Sequence, residues 1–303
     1  MKAVVIGFGS IGARHAEVLS AAGHHVAVVS RRTVAWPDRF ASVAEALAVW
    51  RPGLVVVASR TIEHASDLAA LAAAGYDGVV IVEKPLYDVP KPLPANNFAR
   101  VVVGYNLRFH PVIAALRRVV ADRNVLAVHS YVGQYLPQWR SQQDYRQGYS
   151  AHRDQGGGVL RELSHELDFV MWLFGRWRRV TAIGGHFSHL ELQADDIFTL
   201  LLETERTPVL TIALNFLDSQ VHREIVVLTD SGSVRADLVA GTLDVDGVVE
   251  TIAVDRNSTF AALHADSLAT SPTSVCTLAE GENVMELIAA AEQAAKTGEW
   301  ISR

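Results

Sequence analysis

Glu83-Lys84-Pro85 closes the apolar run Val79–Val82, and Lys84 is one of only four lysines in a chain of 303 residues. An amine at the end of a buried strand can move a proton near neutral pH when burial and neighbouring charge lower its pKa. A second cluster follows Gly156-Gly157-Gly158, where Arg161, His165 and Asp168 stand at i, i+4 and i+7 and would share one face of a helix. A histidine, with a reference pKa near 6.5, suits proton transfer, and a carboxylate one turn away can orient its ring. Between the two clusters lie Tyr135, Trp139, Arg140, Tyr145, Arg146 and Tyr149. Rings and guanidinium groups of this kind stack on sugars and clamp carboxylate or phosphate, and they equally serve to anchor a long loop to a core.

The elements that position these residues begin with a short apolar strand, Ala3 to Ile6, followed at once by Gly7-Phe8-Gly9-Ser10-Ile11-Gly12 and a helix that stops at Gly23. Strand, G-x-G-x-x-G and helix in this order form the dinucleotide fingerprint. Gly7 permits the tight turn, Gly9 lets backbone approach a pyrophosphate, and Gly12 allows close packing of helix on strand. Ser10 and Ile11 supply N–H groups at the helix start, where anions bind. With a nicotinamide in front of Lys84, the proton chemistry becomes half of a hydride transfer at a carbinol or carbonyl carbon.

The second strand, His25 to Val29, ends in Ser30-Arg31-Arg32. A carboxylate placed there would hold the ribose 2′-hydroxyl of NAD, whereas a hydroxyl and two guanidinium groups suit a 2′-phosphate. The expected cofactor is therefore NADP(H) in preference to NAD(H). Leu54 to Ala58, Val79 to Val82 and Arg100 to Tyr105 read as further buried strands, and Thr61 as the N-cap of a helix running to Ala74. Apolar strands alternating with helices predict a doubly wound parallel sheet, which binds ligands at the carboxyl ends of its strands. Ser59, Thr61, His64, Glu83, Lys84, Asn106 and Arg108 lie at or just beyond those ends and complete the expected cofactor set.

From about Pro111 the pattern changes. A helix from Val112 to Val120 precedes alternating strand candidates at 125–132, 180–183, 197–203, 209–216, 224–228 and 233–238. The fold class is α/β, with an N-terminal Rossmann domain over 1–110 and an α+β domain over 111–303 built on a large, mostly antiparallel open sheet. A single amphipathic helix is expected after the glycines, burying Leu160, Leu163, Leu167, Val170, Met171 and Phe174. A helix at about 282–297 is expected to pack back on the first domain.

GFGSIG, the Glu83-Lys84-Pro85 tripeptide, Asn106-Leu107-Arg108-Phe109-His110-Pro111 and the glycine-led helix with His165 and Asp168 together resemble the Gfo/Idh/MocA family of sugar and cyclitol oxidoreductases. The resemblance implies a cis bond before Pro85, contact of Lys84 with the reacting oxygen, and His165 beside the substrate working with the lysine. It also implies a homo-oligomer, dimer or tetramer. One departure stands out: many relatives carry an aspartate four residues before the histidine, where this chain has Arg161, and Glu162 is one residue off. The segment from Tyr135 to Asp168 is similar to a branch associated with amino-sugar and nonulosonic-acid genes, which points to an amino-sugar or nucleotide-sugar substrate.

Composition bounds the alternatives. A formal charge of −6 argues against nucleic acid or an anionic membrane as partner. Cys276 is the single cysteine and reads as a buried small hydrophobe. No metal is implied, because His152, His165, His186 and His189 lack ligand spacing. No leader or membrane span is read from the sequence, so a cytoplasmic enzyme is expected. The competing classes are a non-catalytic NAD(P)-binding sensor or subunit, and an oxidoreductase that keeps its cofactor through the whole cycle.

Overall fold

The computed structural model describes residues 1–139 and 143–303. In chain order the elements are β1 (Lys2–Ile6), α1 (Ser10–Ala21), β2 (His25–Val29), β3 (Arg39–Phe40), α2 (Val43–Trp50), β4 (Leu54–Val57), α3 (His64–Ala73), β5 (Val79–Val82) and β6 (Arg100–Val103). There follow α4 (Pro111–Val120), β7 (Val125–Gly133), α5 (Val159–Glu162), α6 (His165–Phe174), β8 (Trp177–Gly185), β9 (Ile197–Thr204), β10 (Val209–Asn215), β11 (His222–Thr229), β12 (Gly232–Asp237), β13 (Thr242–Val245) and β14 (Val248–Thr251). The last elements are α7 (Ser258–Leu268), β15 (Cys276–Thr277), α8 (Leu278–Thr297) and β16 (Ile301–Ser302).

The chain divides into two compact units, Met1–Phe109 with Arg256–Glu282, and His110–Asp255 with Asn283–Arg303. In the first, the sheet order is β15-β6-β5-β4-β1-β2-β3, parallel throughout except for β15. Its strands are runs of Val, Ile and Leu because both faces are covered, and Ala3, Val5, Val28, Leu54, Val56 and Ile81 are all fully buried. The returning segment completes the core with Leu263 and Val275. The strand order reverses between β1 and β4, where an open α/β sheet places its ligand crevice.

Two local readings change here. The sequence reading passed over β3 and α2, although Ser42 accepts from Glu45 N–H and the Glu45 carboxylate accepts from Ala41 N–H. That is a variant of the capping box, with Glu45 reaching the residue before the N-cap, legible as Ser42-x-x-Glu45. Thr61 does not cap α3. It opens a 3₁₀ turn, Thr61–Glu63, tightened by Glu63 N–H donating to the Arg60 carbonyl at 2.7 Å, and α3 starts only at His64.

The second unit carries a sheet of order β14-β13-β12-β11-β7-β10-β9-β8-β16, in which only β7 and β10 run parallel. Strands such as β9 alternate buried and open positions, so one face is packed and the other faces solvent. Ile183, Leu201, Val209 and Leu228 are exposed on these strands.

The expected single amphipathic helix is two helices. Leu163 leaves helical geometry at φ −101° and ψ 25°, and Ser164 Oγ donates to the Arg161 carbonyl at 2.9 Å, so α5 ends before α6 begins. Nor is the segment polar on one side, because Arg161, Glu162, Glu166 and Asp168 are all buried. Partners within the unit make that tolerable: Arg161 meets Glu292 at 2.7 Å, Ser150 donates to Glu162 at 2.8 Å, and Arg223 pairs with Glu166 at 2.8 Å.

Candidate functional site

The carboxyl edge of the parallel sheet gathers the first group of candidate residues. Gly7, just past β1, has φ +87°, and a Cβ there would lie 2.6 Å from both the Ala58 carbonyl oxygen and the Ser59 nitrogen. At Gly12 a Cβ would overlap the Gly7 carbonyl oxygen. These two glycines are demanded by the protein's own packing. Gly9 is different: a Cβ there meets nothing within 4 Å, so its bareness serves space that the protein does not fill. Gly9 is also the N-cap of α1, with no side-chain cap and no acidic residue in the first turn. The N–H groups beginning at Ser10 and Ile11 therefore meet no side chain or negative charge of the helix itself, which leaves an anion cradle.

Beyond β2, Ser30 Oγ donates to the Arg32 carbonyl at 3.0 Å and accepts from Arg32 N–H at 3.2 Å, closing a tight turn. Arg32 reaches back to the Phe8 carbonyl at 3.3 Å, which places a guanidinium beside the phosphate loop. The Arg31 side chain is 84% exposed, with Glu63 at 3.8 Å. Past β4, Ser59 Oγ donates to Asp67 at 2.5 Å. Burial first, opposed by that hydrogen bond, raises the Asp67 carboxyl above its ordinary value. Thr61 and His64 are buried, and the His64 ring faces the Leu86 carbonyl through Nδ1 at 3.1 Å and the Ser59 carbonyl through Nε2 at 3.2 Å. Burial pushes the His64 pKa down, so the neutral ring donates one N–H between the loop after β4 and the loop after β5.

Past β5, the Lys84–Pro85 bond is cis, as the family resemblance implied. Glu83 is buried, and its Oε2 accepts from Lys84 N–H at 3.2 Å. Lys84 itself is half-buried. Past β6, Asn106 donates to Thr259 Oγ1 at 2.8 Å, and Arg108 meets the Val275 carbonyl and Glu280, both at 3.1 Å. Burial alone would raise the Glu280 carboxyl, but Arg108 and Thr277 outweigh it and hold it below the ordinary value. Asn106 and Arg108 thus tie the edge to the returning segment Arg256–Glu282. Sequence gave no sign of these partners, which lie more than 150 positions away.

The second group lies in the second unit. His165 is the first residue of α6 and half-buried, and Asp168 is buried one turn later. Several aromatic and basic candidates are engaged by the chain itself. Trp139 packs edge-on against Phe216 at 5.1 Å and donates to the Gln134 carbonyl. Tyr145 OH accepts from Glu191 N–H, and Arg146 pairs with Asp144 at 2.9 Å and Glu191 at 3.1 Å. Arg161 is buried against Glu292. Tyr135 and Tyr149 are half-buried, and Arg140 lies outside the described residues. For Trp139 and Tyr145 the loop-anchoring role is thus visible in the contacts themselves.

Over residues 113–235 the sequence matches the family model described as the GFO/IDH/MocA C-terminal domain. This supports the resemblance drawn from the N-terminal fingerprint and the Glu-Lys-Pro tripeptide, which lie outside that span. No curated protein matches the sequence. Among solved structures, GenD2 from gentamicin A biosynthesis, in complex with NAD, superposes with a TM-score of 0.84 at 23% identity over 100% of this chain and 96% of its own. The WlbA dehydrogenase from Bordetella pertussis, in complex with NADH and UDP-GlcNAcA, gives 0.82 at 18% identity, over 100% and 98%. Levoglucosan dehydrogenase, in complex with NADH and L-sorbose, gives 0.83 at 15% identity, over 100% and 98%. At these identities the likeness establishes a shared fold: a Rossmann-type sheet joined to a large open sheet.

Proposed function

We propose that the protein is a nicotinamide-dependent oxidoreductase acting on a hydroxyl or keto carbon of a sugar derivative. The observation that carries this reading is one sheet edge bearing both an uncapped phosphate loop with free space at Gly9 and the half-buried Lys84. The cofactor's fit is supported by that loop and by Ser30, Arg31 and Arg32 beyond β2, where no carboxylate stands. Those side chains favour NADP(H), because guanidinium forks match the oxygens of a 2′-phosphate. Ser59, Thr61, His64 and Asn106 shape the remaining edge of the same cradle, and Arg108 braces it.

A bound nicotinamide supplies the acceptor or donor of hydride. The chain's own part is the proton. Lys84 exchanges it with the substrate oxygen, and Glu83 holds the Lys84 backbone in place. Within the second unit, proton handling is assigned to His165 at the start of α6, with Asp168 one turn later to orient its ring, and substrate contact to that unit's side chains. Tyr135 and Tyr149 suit stacking on a sugar, while Arg146 and Arg161 keep that unit's surfaces in shape. The substrate class is a sugar, amino sugar or nucleotide sugar, in keeping with ligands held by structures of the same fold. Homo-oligomerisation through the open sheet face is supported by the exposed Ile183, Leu201, Val209 and Leu228.

The test is nicotinamide absorbance with UDP-GlcNAcA, levoglucosan, amino-sugar phosphates and cyclitols as candidate substrates, run with NADP⁺ and NAD⁺ in parallel. Turnover on at least one, with tighter binding of NADP⁺ than NAD⁺, is expected. Arg31→Ala and Arg32→Ala should each weaken NADP⁺ binding about tenfold and leave NAD⁺ within about threefold. Failure of the protein to bind either nucleotide would remove the proposal.

A further inference from the structure

In the first unit a buried hydrogen-bonded chain runs from Glu83 to two histidines that the proposed chemistry does not use. His15 lies on α1, six positions beyond Gly9, and is fully buried. Its Nε2 stands 2.8 Å from Glu83 Oε1, and its Nδ1 stands 2.7 Å from His264 Nε2. His264 is on α7, 249 residues away in sequence, and is 3% exposed. The other Glu83 oxygen, Oε2, accepts from Lys84 N–H. One imidazole therefore joins the phosphate-loop helix, the returning helix and the residue that fixes the Lys84 backbone.

The proton pattern along the chain follows from what each group can do. A carboxylate only accepts, so His15 donates through Nε2 to Glu83, and a single proton is shared between His15 Nδ1 and His264 Nε2. Burial, reinforced by the neighbouring His15 and His24, drives His264 down to about 2, so that ring is neutral. The carboxylate is also confined on its far side. A Cβ on Gly104 would lie 2.6 Å from Glu83 Oε1, so the α-carbon of Gly104 forms a wall against it. Phe260 closes the other flank of His15, edge-on at 5.1 Å.

We propose that His15 is a positioning residue for Lys84, holding the Glu83 carboxylate in the one orientation that accepts from the Lys84 backbone. This deepens the reading of Lys84 as the proton-handling amine and rests on it. The role follows from directionality. His15 Nε2–H fixes Oε1 while Lys84 N–H takes Oε2, so losing the donor at His15 removes one of the two hydrogen bonds that set the rotation of the Glu83 carboxylate. A small misplacement of a reacting group is enough to lose much of its effect.

The experiment uses lysine chemistry, which needs no substrate. The full-length protein is acetylated with acetic anhydride with and without saturating NADP⁺, and the extent at Lys84 is read by peptide mass spectrometry. Lys91, paired with Asp88, is the internal control. In the wild type NADP⁺ should slow Lys84 acetylation at least about fivefold, and in His15→Leu the protection should fall below about twofold while the NADP⁺ Kd stays within about threefold. His15→Gln, which keeps an N–H within reach of Glu83, should restore protection, a rescue that a purely space-filling role would not give. If His15→Leu does not fold, Glu83→Met carries the same test, since it removes the acceptor of Lys84 N–H at similar side-chain volume and should lose protection likewise. Wild-type protection that survives in His15→Leu, or that is lost equally in His15→Gln, overturns the positioning role alone. Absence of protection in the wild type overturns the placement of Lys84 beside the cofactor, and this inference with it.

Discussion

The two units differ in what their candidate sites are made of. In the first, the candidate groups are largely backbone: glycine α-carbons, helix-start N–H groups, and loops at the ends of fully apolar strands. In the second, every candidate group is a side chain, and each has to be left over after the fold has satisfied its own needs. Trp139, Tyr145, Arg146 and Arg161 are drawn into internal contacts. Backbone sites are specified by local steric rules, whereas side-chain sites depend on which partners the tertiary structure brings near. That is why the same residue types carry different weight in the two halves of the chain.

The sharpest way to break this comparison is at two glycines of one loop. Gly9→Val places its Cβ in open space at an ordinary φ of −85°, so the stability cost should be at most about 1 kcal/mol, that of a poorer N-cap, while the NADP⁺ Kd rises by about a hundredfold. Gly12→Ala should do the opposite, destabilising the first unit by about 2–3 kcal/mol because its Cβ has to displace the Gly7 carbonyl. Calorimetric titration and denaturant melts read both. If Gly9→Val loses stability and keeps affinity, the space at Gly9 belongs to the protein and not to a ligand.

In the second unit, Arg161→Met should show that a candidate site residue is a structural one. Removing one partner of a pair in which Arg161 is 5% exposed should cost about 2–3 kcal/mol of stability, toward the lower end because the Glu292 side chain retains 15% exposure. Urea unfolding is the readout. A variant that is as stable as wild type but has altered substrate affinity would make Arg161 a substrate-binding residue.

The smallest effect is set by pH. His64 and His264 in the first unit have pKa values lowered by burial, and in the second unit burial and then Arg223 take His110 down to about 4. The unfolded rings titrate near 6.5, so unfolding takes up protons below that pH and stability falls as pH drops. Each ring contributes at most about 1.4 kcal/mol per pH unit, His110 only until about pH 4 and the more deeply shifted His264 further down. Hydrogen exchange at pH 5 should therefore loosen the first unit more than the second, and equal loosening would show that these rings are not neutral in the fold.

How much of this was legible in the sequence follows the same division. The order of strands β1, β2, β4, β5 and β6 could be read because parallel strands buried on both faces are continuous apolar runs. The α2 helix was missed despite a readable capping box, because its preceding strand is only two residues long. The helix break at Leu163 could not be read, since Leu160, Leu163 and Leu167 keep perfect helical spacing and the interruption comes from Ser164 bonding back to Arg161. His264, which meets His15, and Thr259, which meets Asn106, were invisible for another reason. They are contributed by a helix that re-enters the first unit at Arg256, and no local pattern announces such a return.

The central claim is that the Lys84 amine carries the proton while the glycine loop and arginines bind the cofactor. The most direct test is Lys84→Met, measured for NADP⁺ affinity and for turnover of the best sugar derivative in the substrate panel. The account predicts a Kd within about threefold of wild type and turnover reduced by about a thousandfold. Turnover within about tenfold of wild type, with the cofactor still bound, would contradict it.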